Sequence, residues 1–311
     1  YFTAAEKRPR MEEMVRVASG VDATVCRTPL EAEVLELRLI DAHKPRYNRR
    51  SKFPERQVWL KLTREPFPRL SVVQRVADDG AYYFGPLGGR PAAEQVLMAL
   101  YDAYPIRQCT AKLSASRPSG SCALGEMGRC ASPCNREVSA EAYAAIVQEV
   151  REGLAQDVRP VLEAGSVRLR TLVEAERFEE AGVVRDRLRA LLRSSVRHQR
   201  VRSLASCPQL VAACGTDRGW EIHVVRHGRL AAAAFARPGE VPQAVARDAV
   251  AAAEDVRPAP VPQPAALVEE TERIAAWLER PGVRLIETDG DWAWPTFSGV
   301  DDATLAAQLL G

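Results

Sequence analysis

Four cysteines, Cys109, Cys122, Cys130 and Cys134, fall in one short segment with the pattern C-x12-C-x7-C-x3-C. Thiolates are soft ligands, and four of them can hold a structural zinc ion or an iron–sulfur cluster. Zinc ribbons usually show two short C-x2-C knuckles, and this segment has none. Free structural thiols are the third reading. The chain has seven cysteines, and Cys26, Cys207 and Cys214 stand far from the group. The set therefore reads as a metal site before a disulfide framework. Gly125, Gly128 and Pro133 would let the loop fold around a metal.

Charged residues suggest a second chemistry. Lys44, Arg46, Arg49, Arg50 and Lys52 lie close together with no acid between them. Arg185, Arg187, Arg189, Arg193, Arg197, Arg200 and Arg202 form a second basic stretch. Such groups neutralise phosphates, or else make an ordinary solvated surface. The net charge of +2 does not itself imply a nucleic-acid partner. Glu287, Asp289 and Asp291 read as an acidic loop after a strand. His223 and His227 flank a turn and read as surface histidines.

The elements that must position these groups give an α+β chain. Thr28-Pro29-Leu30-Glu31 is a helix start, with Thr28 as cap and Glu31 completing a capping box. The helix runs to about His43, with Leu35, Leu39 and Ile40 on its apolar side, and Pro45 stops it. Gln57 to Leu62, Arg69 to Val76 and Tyr82 to Phe84 read as a small antiparallel sheet that ends at Gly85-Pro86. A helix is expected from Ala92 to Tyr104. Helical periodicity fills Ser139 to Gln199, broken between Gln156 and Pro160. Leu172, Phe178, Val184, Leu188 and Leu191 are the expected seam of a helical hairpin. Strands at Leu210 to Ala213, Glu221 to Val225 and Leu230 to Phe235 follow. A helix from Val241 to Asp255, a Pro-rich linker, a helix from Ala265 to Arg280 and a strand from Val283 to Thr288 close the pattern.

A length of 311 residues suits two or three small domains, and 46% apolar residues exclude a wholly disordered chain. No charge-free apolar run is long enough to span a membrane, and the start has no signal-peptide pattern. A cytoplasmic protein is expected.

The run EAEVLELRLIDAHKPRYN, Glu31 to Asn48, resembles the end of the GIY-YIG nuclease domain of the UvrC family. FPRL at Phe67, YFGPLGG at Tyr83, YPIRQC at Tyr104, GRCASPC at Gly128 and RFEEAGVVRDRLRAL at Arg177 follow in the order and spacing of that family. The resemblance covers about the first two thirds of the chain. It implies a DNA-repair endonuclease of the nucleotide excision type that hydrolyses phosphodiesters with Mg2+ or Mn2+. Glu36 would be the metal ligand and Asn48 would help shape the site. Lys44, Arg46, Arg49, Arg50 and Lys52 would contact DNA. The four cysteines would hold a [4Fe–4S] cluster, with structural zinc as the alternative. Arg177 to Leu191 is similar to the UVR hairpin through which UvrC meets a UvrB-like helicase. There Phe178 would be an apolar anchor, and Glu179, Arg185 and Asp186 would supply oriented charges. Gly182 stands where the family usually has alanine.

The family's GIY and YIG strands, with the tyrosine base and a phosphate-steadying arginine, match nothing after Tyr1. The resemblance therefore implies a truncated nuclease domain, and a chain that does not cut DNA alone. The expected regions are 1–62 (end of the GIY-YIG domain), 63–136 (small sheet, helix and cysteine cluster), 137–202 (helices with the hairpin) and 203–311 (a small, degenerate RNase H-like domain). That last region has no Asp-x-Ser-His segment. This departure points to the UvrC-like half of an actinobacterial-type fusion with a DEDD exonuclease. The competing reading is a non-catalytic scaffold that binds DNA and a UvrB-like partner.

Overall fold

The computed structural model describes residues 9–48, 57–114, 116–120, 122–260, 262–290 and 292. In chain order the elements are α1 Pro9–Val17, α2 Pro29–His43, β1 Val58–Leu62, β2 Leu70–Val73, β3 Tyr82–Leu87, α3 Arg90–Ala103, α4 Ala123–Glu126 and α5 Ala140–Ala155. Then come α6 Arg159–Glu174, α7 Phe178–Ser206, β4 Gln209–Thr216, β5 Gly219–Arg226, β6 Arg229–Ala236, α8 Pro242–Ala251, α9 Val268–Leu278 and β7 Val283–Asp289. The mixture of helices with two antiparallel sheets is the expected α+β class. Among the described residues no helix is long and apolar enough to cross a membrane.

The chain divides into two compact units. One draws its described residues from 9–48 and 203–292, the other from 57–202. Helix α7 starts in the second unit, and its last residues belong to the first.

In the second unit the sheet order is β2-β1-β3. Val58, Leu60 and Leu62 are buried as the alternation predicts, and Trp59 is buried as well. The strand does not end at Gly85-Pro86 but continues to Leu87. The β1–β3 register shifts between Val58 and Leu60, a bulge opposite a proline that has no N–H to donate. Gly85 has φ +146°, and a Cβ there would lie 2.9 Å from the Trp59 ring, so the close approach requires glycine. Helices α3, α5, α6 and α7 complete the core with Val96, Leu100, Tyr143, Leu162, Leu188 and Leu191.

In the first unit the strand order is β6-β5-β4-β7. Strand β4 alternates its burial. Leu210 and Ala212 join Leu30 and Val34 of α2 and Ile274 and Trp277 of α9. Val211 and Ala213 join Ala246 and Ala249 of α8. Helices thus cover both faces, as continuous apolar strands require. Helix α1 goes beyond the sequence expectation. Its mean hydropathy is low and its sequence, PRMEEMVRV, gives no cap signal.

The α6–α7 hairpin turns at Glu176 in the left-handed region, with Arg177 N–H bonded to Leu172 O at 2.8 Å. Leu172, Val184, Leu188 and Leu191 form the expected seam, but Phe178 lies outside it, 64% exposed. Gly165 explains how closely the helices approach: a Cβ there would meet Leu188 Cδ2 at 2.4 Å. Gly182 faces open space, with Arg185 Nη2 at 3.9 Å the nearest atom. Gly182→Ala should therefore stabilise the protein by about 0.5–1 kcal/mol through helix propensity. Gly165→Ala should destabilise it by about 1–2 kcal/mol, because buried Leu188 must shift. Urea midpoints of the two variants check this; effects of equal sign would contradict the packing described.

Candidate functional site

Helix α2 is fixed at both ends by its sequence. Thr28 accepts a bond from Glu31 N–H at 3.2 Å, and Pro29 occupies the first turn. Glu31 reaches back to the N–H of Arg27, one residue before the cap, a variant of the expected box. Lys44 closes the helix in the left-handed conformation just before Pro45. The buried face is Leu30, Val34, Leu37 and Ile40; of the expected apolar side Ile40 is buried, while Leu35 is half-buried and Leu39 is exposed. The hydrophobic spacing i, i+4, i+7, i+10 places Leu39 on the outer side.

Glu36 projects from that outer side into solvent, with no hydrogen bond or ion pair to any described residue. Its rotation is set from the opposite face. Arg38 Nε and Nη2 grip the Glu270 carboxylate at 3.0 and 2.7 Å. Glu270 also accepts from Leu230 N–H at 2.9 Å, and Arg38 donates to Leu230 O. Asn48 is half-buried in the turn after α2, its N–H bonded to Pro45 O. No described contact joins Asn48 to Glu36. Lys44 Nζ binds Asp41 at 2.6 Å and Arg46 pairs with Glu13 at 3.3 Å, so acids outside the basic run answer part of it. Arg49, Arg50 and Lys52 lie outside the described residues.

The four cysteines all lie in the second unit. Burial pushes the Cys130 thiol up, a bond from Ser132 N–H opposes this, and Cys122, Cys109 and Cys134 are close enough to raise it further. Cys109 and Cys122 are exposed and Cys134 is half-buried. Backbone bonds fold the loop: Ala131 N–H to Pro105 O at 2.8 Å and Ser119 N–H to Cys134 O at 2.7 Å. Two sulfurs face donors, Cys130 from Ser132 N–H at 3.4 Å and Cys109 from Arg107 Nη1 at 3.5 Å. Such N–H···S contacts suit thiolate ligands. Among the described residues, however, no three of His, Cys, Asp or Glu stand in ion-holding geometry. The donor set, four thiols with N–H donors facing two of them, fits a thiolate-held metal group.

Arg107 is the residue that sequence reasoning missed here. Its guanidinium is fully buried and donates to Phe67 O at 2.6 Å, Cys109 O at 3.0 Å and Ala111 O at 2.9 Å. Nη2 lies 2.8 Å from Glu65 Oε2 as an ion pair, though the angle is not that of a hydrogen bond. An arginine two residues before a cysteine was the available signal.

On the hairpin, Phe178 is exposed at the start of α7, Glu179 is exposed beside it, and Arg185 pairs with Asp186 at 3.1 Å. Glu287 and Asp289 stand exposed on strand β7, not in a loop, and Asp291 lies outside the described residues. His227 is half-buried against Ala205 O.

His223 corrects the expectation of a surface histidine: it is 1% exposed. It lies in the middle of β5, where helices cover both faces of the sheet and residues 221–225 are all buried. Nε2 meets Thr28 Oγ1 at 2.8 Å, tying the cap of α2 to the sheet, and the ring stands edge-on to Trp277. Nδ1 has no partner. Assigning the proton to Nε2 leaves a bare lone pair at Nδ1, cheaper than an orphaned N–H.

The comparisons with known proteins agree with the motifs. Residues 1–49 match the UvrC-like GIY-YIG domain, and residues 57–153 match the middle domain of UvrC/Cho excinuclease. The chain belongs to the UvrC-like family. It is 38% identical over 297 residues to a Mycobacterium tuberculosis protein named as a bifunctional exonuclease/endonuclease, covering 94% of this chain and 45% of that protein. It is 32% identical over 235 residues to the UvrABC system protein C of Trichlorobacter lovleyi, covering 74% of this chain and 38% of the relative. For a UvrABC system protein C of Thermus thermophilus the identity is 36% over 191 residues, with 61% and 32% covered. The chain thus spans less than half the length of these relatives. No solved structure matches it.

Two buried imidazoles give the protein an acid-sensitive core. Burial first, then the Arg280 charge, holds His223 down at about 3. Burial likewise holds His198 at about 4 against the pull of Gly85 O, to which Nδ1 donates at 2.6 Å. Unfolded imidazoles titrate near pH ~6.5, so below that pH the unfolded chain binds more protons. Stability should be full above about pH 6.5 and fall as the pH drops toward 4. From about pH 7.5 to 5 each imidazole should account for about 2 kcal/mol. Denaturant midpoints across this range check it. His198→Gln should flatten the profile; a profile as steep in that variant as in the parent protein would contradict the assignment.

Proposed function

We propose that this chain is the part of a UvrC-like DNA-repair endonuclease that carries the metal-binding carboxylate of the GIY-YIG centre, a thiolate-held cluster and a partner-docking hairpin. The observation that carries the reading is Glu36: an exposed carboxylate with no ion pair among the described residues, on a helix whose rotation is locked from behind by Arg38 and Glu270. Hard divalent cations take oxygen ligands, and a single carboxylate leaves coordination positions for water and phosphate. When bound there, Mg2+ or Mn2+ would neutralise charge on the attacked phosphodiester. Asn48 would border the site, and Lys44, Arg46, Arg49, Arg50 and Lys52 would meet the DNA backbone. The names of the relatives, a UvrABC system protein C and an exonuclease/endonuclease, and the match to the UvrC/Cho excinuclease middle domain support a nuclease of the excision-repair type.

Cys109, Cys122, Cys130 and Cys134 would hold a [4Fe–4S] cluster, with zinc as the alternative. Its role would be to brace the loop beside the small sheet. Ser132 N–H and Arg107 would stabilise the thiolates. Phe178, Glu179, Arg185 and Asp186 would dock a UvrB-like helicase, the exposed ring supplying apolar area and the charges setting register.

The test is Mn2+ binding to the anaerobically purified chain, with bubble-duplex DNA present, alongside iron and sulfide analysis. Glu36→Gln should weaken Mn2+ binding roughly tenfold, since about 1.4 kcal/mol is a factor of ten. The melting temperature should hold, because Glu36 is exposed and forms no hydrogen bond or ion pair with any described residue. Iron and sulfide should appear in equal amounts and be lost in Cys130→Ser. Undiminished Mn2+ binding in Glu36→Gln, with DNA still bound, would leave the scaffold reading in its place. Colourless protein holding one zinc would replace the iron cluster.

A further inference from the structure

Asp102, on α3, is almost enclosed and faces three arginines from three different elements. Arg187 Nη1 of α7 lies 2.6 Å from Oδ2, and Arg168 Nη1 of α6 lies 2.9 Å from Oδ1. Arg129, in the cysteine loop beside Cys130, brings Nη2 to 3.8 Å from the same Oδ1. All four residues lie in the second unit.

One carboxylate neutralises one guanidinium. Three around it leave a surplus of two positive charges in a patch a few ångströms wide. Like charges held this close repel, so a purely structural ion pair is badly served by the second and third arginine. Donor capacity is also in excess. A carboxylate offers about four lone-pair positions, while three guanidinium forks present about fifteen N–H groups. The excess is visible at Arg187, whose Nε is buried and has no partner. Glu126, the acid closest in sequence to Arg129, forms no ion pair with any of the three.

We propose that Arg129, Arg168 and Arg187 form a phosphate-binding site, with Asp102 as the internal counter-ion that holds the three forks together until a phosphate arrives. Planar guanidinium forks match phosphate oxygens bidentately. The side chains of Arg168 and Arg129 are 49% and 41% exposed, so the site is open on its outer side. An open site of this kind suits a phosphate carried on a polynucleotide strand rather than an enclosed small anion. The choice of DNA as the source rests on the function proposed above; the arginine geometry does not. Its residues belong to the second unit, and Lys44 and Arg46 of the basic run after α2 belong to the first.

The experiment measures binding of a fluorescent bubble duplex to the full 311-residue chain over a range of salt concentrations. Arg168→Gln and Arg129→Gln should each weaken binding several-fold and reduce the slope of log K against log salt by about 0.9, the loss of one phosphate contact. Both side chains are half-exposed, so melting temperatures should hold. Asp102→Asn should tighten binding and steepen the slope, because a competing anion is removed; if that variant fails to fold, the two glutamine variants carry the test. Inorganic phosphate is the second probe. If it raises the melting temperature of the parent chain but not of Arg168→Gln, while no DNA binds, the site stands as an oxyanion site and the DNA reading fails. If DNA binds with the parent slope in both glutamine variants, or neither probe distinguishes them from the parent, the proposal is overturned.

Discussion

A carboxylate that water cannot reach must find a cation, and Glu270, 0% exposed, finds Arg38. That pairing is the constraint on which the candidate nuclease surface depends. Apolar burial alone would hold α2 against α9 and the sheet, but it is non-directional and tolerates small rotations. A bidentate grip at 2.7 and 3.0 Å, with Leu230 donating to the same carboxylate, does not. Together with the Thr28–His223 contact at the cap, it fixes which residues of α2 face the core. Glu36 is outward because Arg38 is inward.

The same rule, with the sign reversed, organises the second unit. Arg107 is a buried cation, satisfied by three backbone carbonyls and the Glu65 carboxylate. Those bonds staple the segment leading into Cys109 to the loop at Phe67, and Tyr143 adds bonds to Arg107 N–H and Pro68 O. The segment entering Cys109 is therefore set by the fold itself. Asp102 breaks the rule, with more cations than one acid requires. Where charges balance, the arrangement serves structure; where they do not, it leaves capacity for a ligand.

Local signals were legible in the sequence. Thr28, Pro29 and Pro45 marked the two ends of α2 closely, because caps and proline act within one turn. The short runs of strand-forming residues in both sheets were legible as well. What the sequence hid was long-range. Arg38 and Glu270 are 232 residues apart, and neither carries a mark of its partner. His223 reads as a surface residue because its partners, Thr28 and Trp277, are distant in the chain. Phe178 reads as seam because a phenylalanine at helical spacing usually is one. Strand β3 runs past Gly85-Pro86 because a bulge absorbs the proline. The family motifs named Glu36 and the cysteines as candidates, but the Asp102 hub needed coordinates.

The most direct measurement is a double-mutant cycle on Arg38→Met and Glu270→Gln, read by urea denaturation. Glu270→Gln keeps an oxygen for Leu230 N–H, so the cycle isolates the ion pair. Arg38→Met alone should cost about 3–5 kcal/mol by leaving a buried carboxylate uncompensated, and adding Glu270→Gln should recover most of that loss. A cost below about 1 kcal/mol for Arg38→Met, with the two substitutions simply additive, would show that the pair does not hold α2 and that Glu36 has no fixed outward setting.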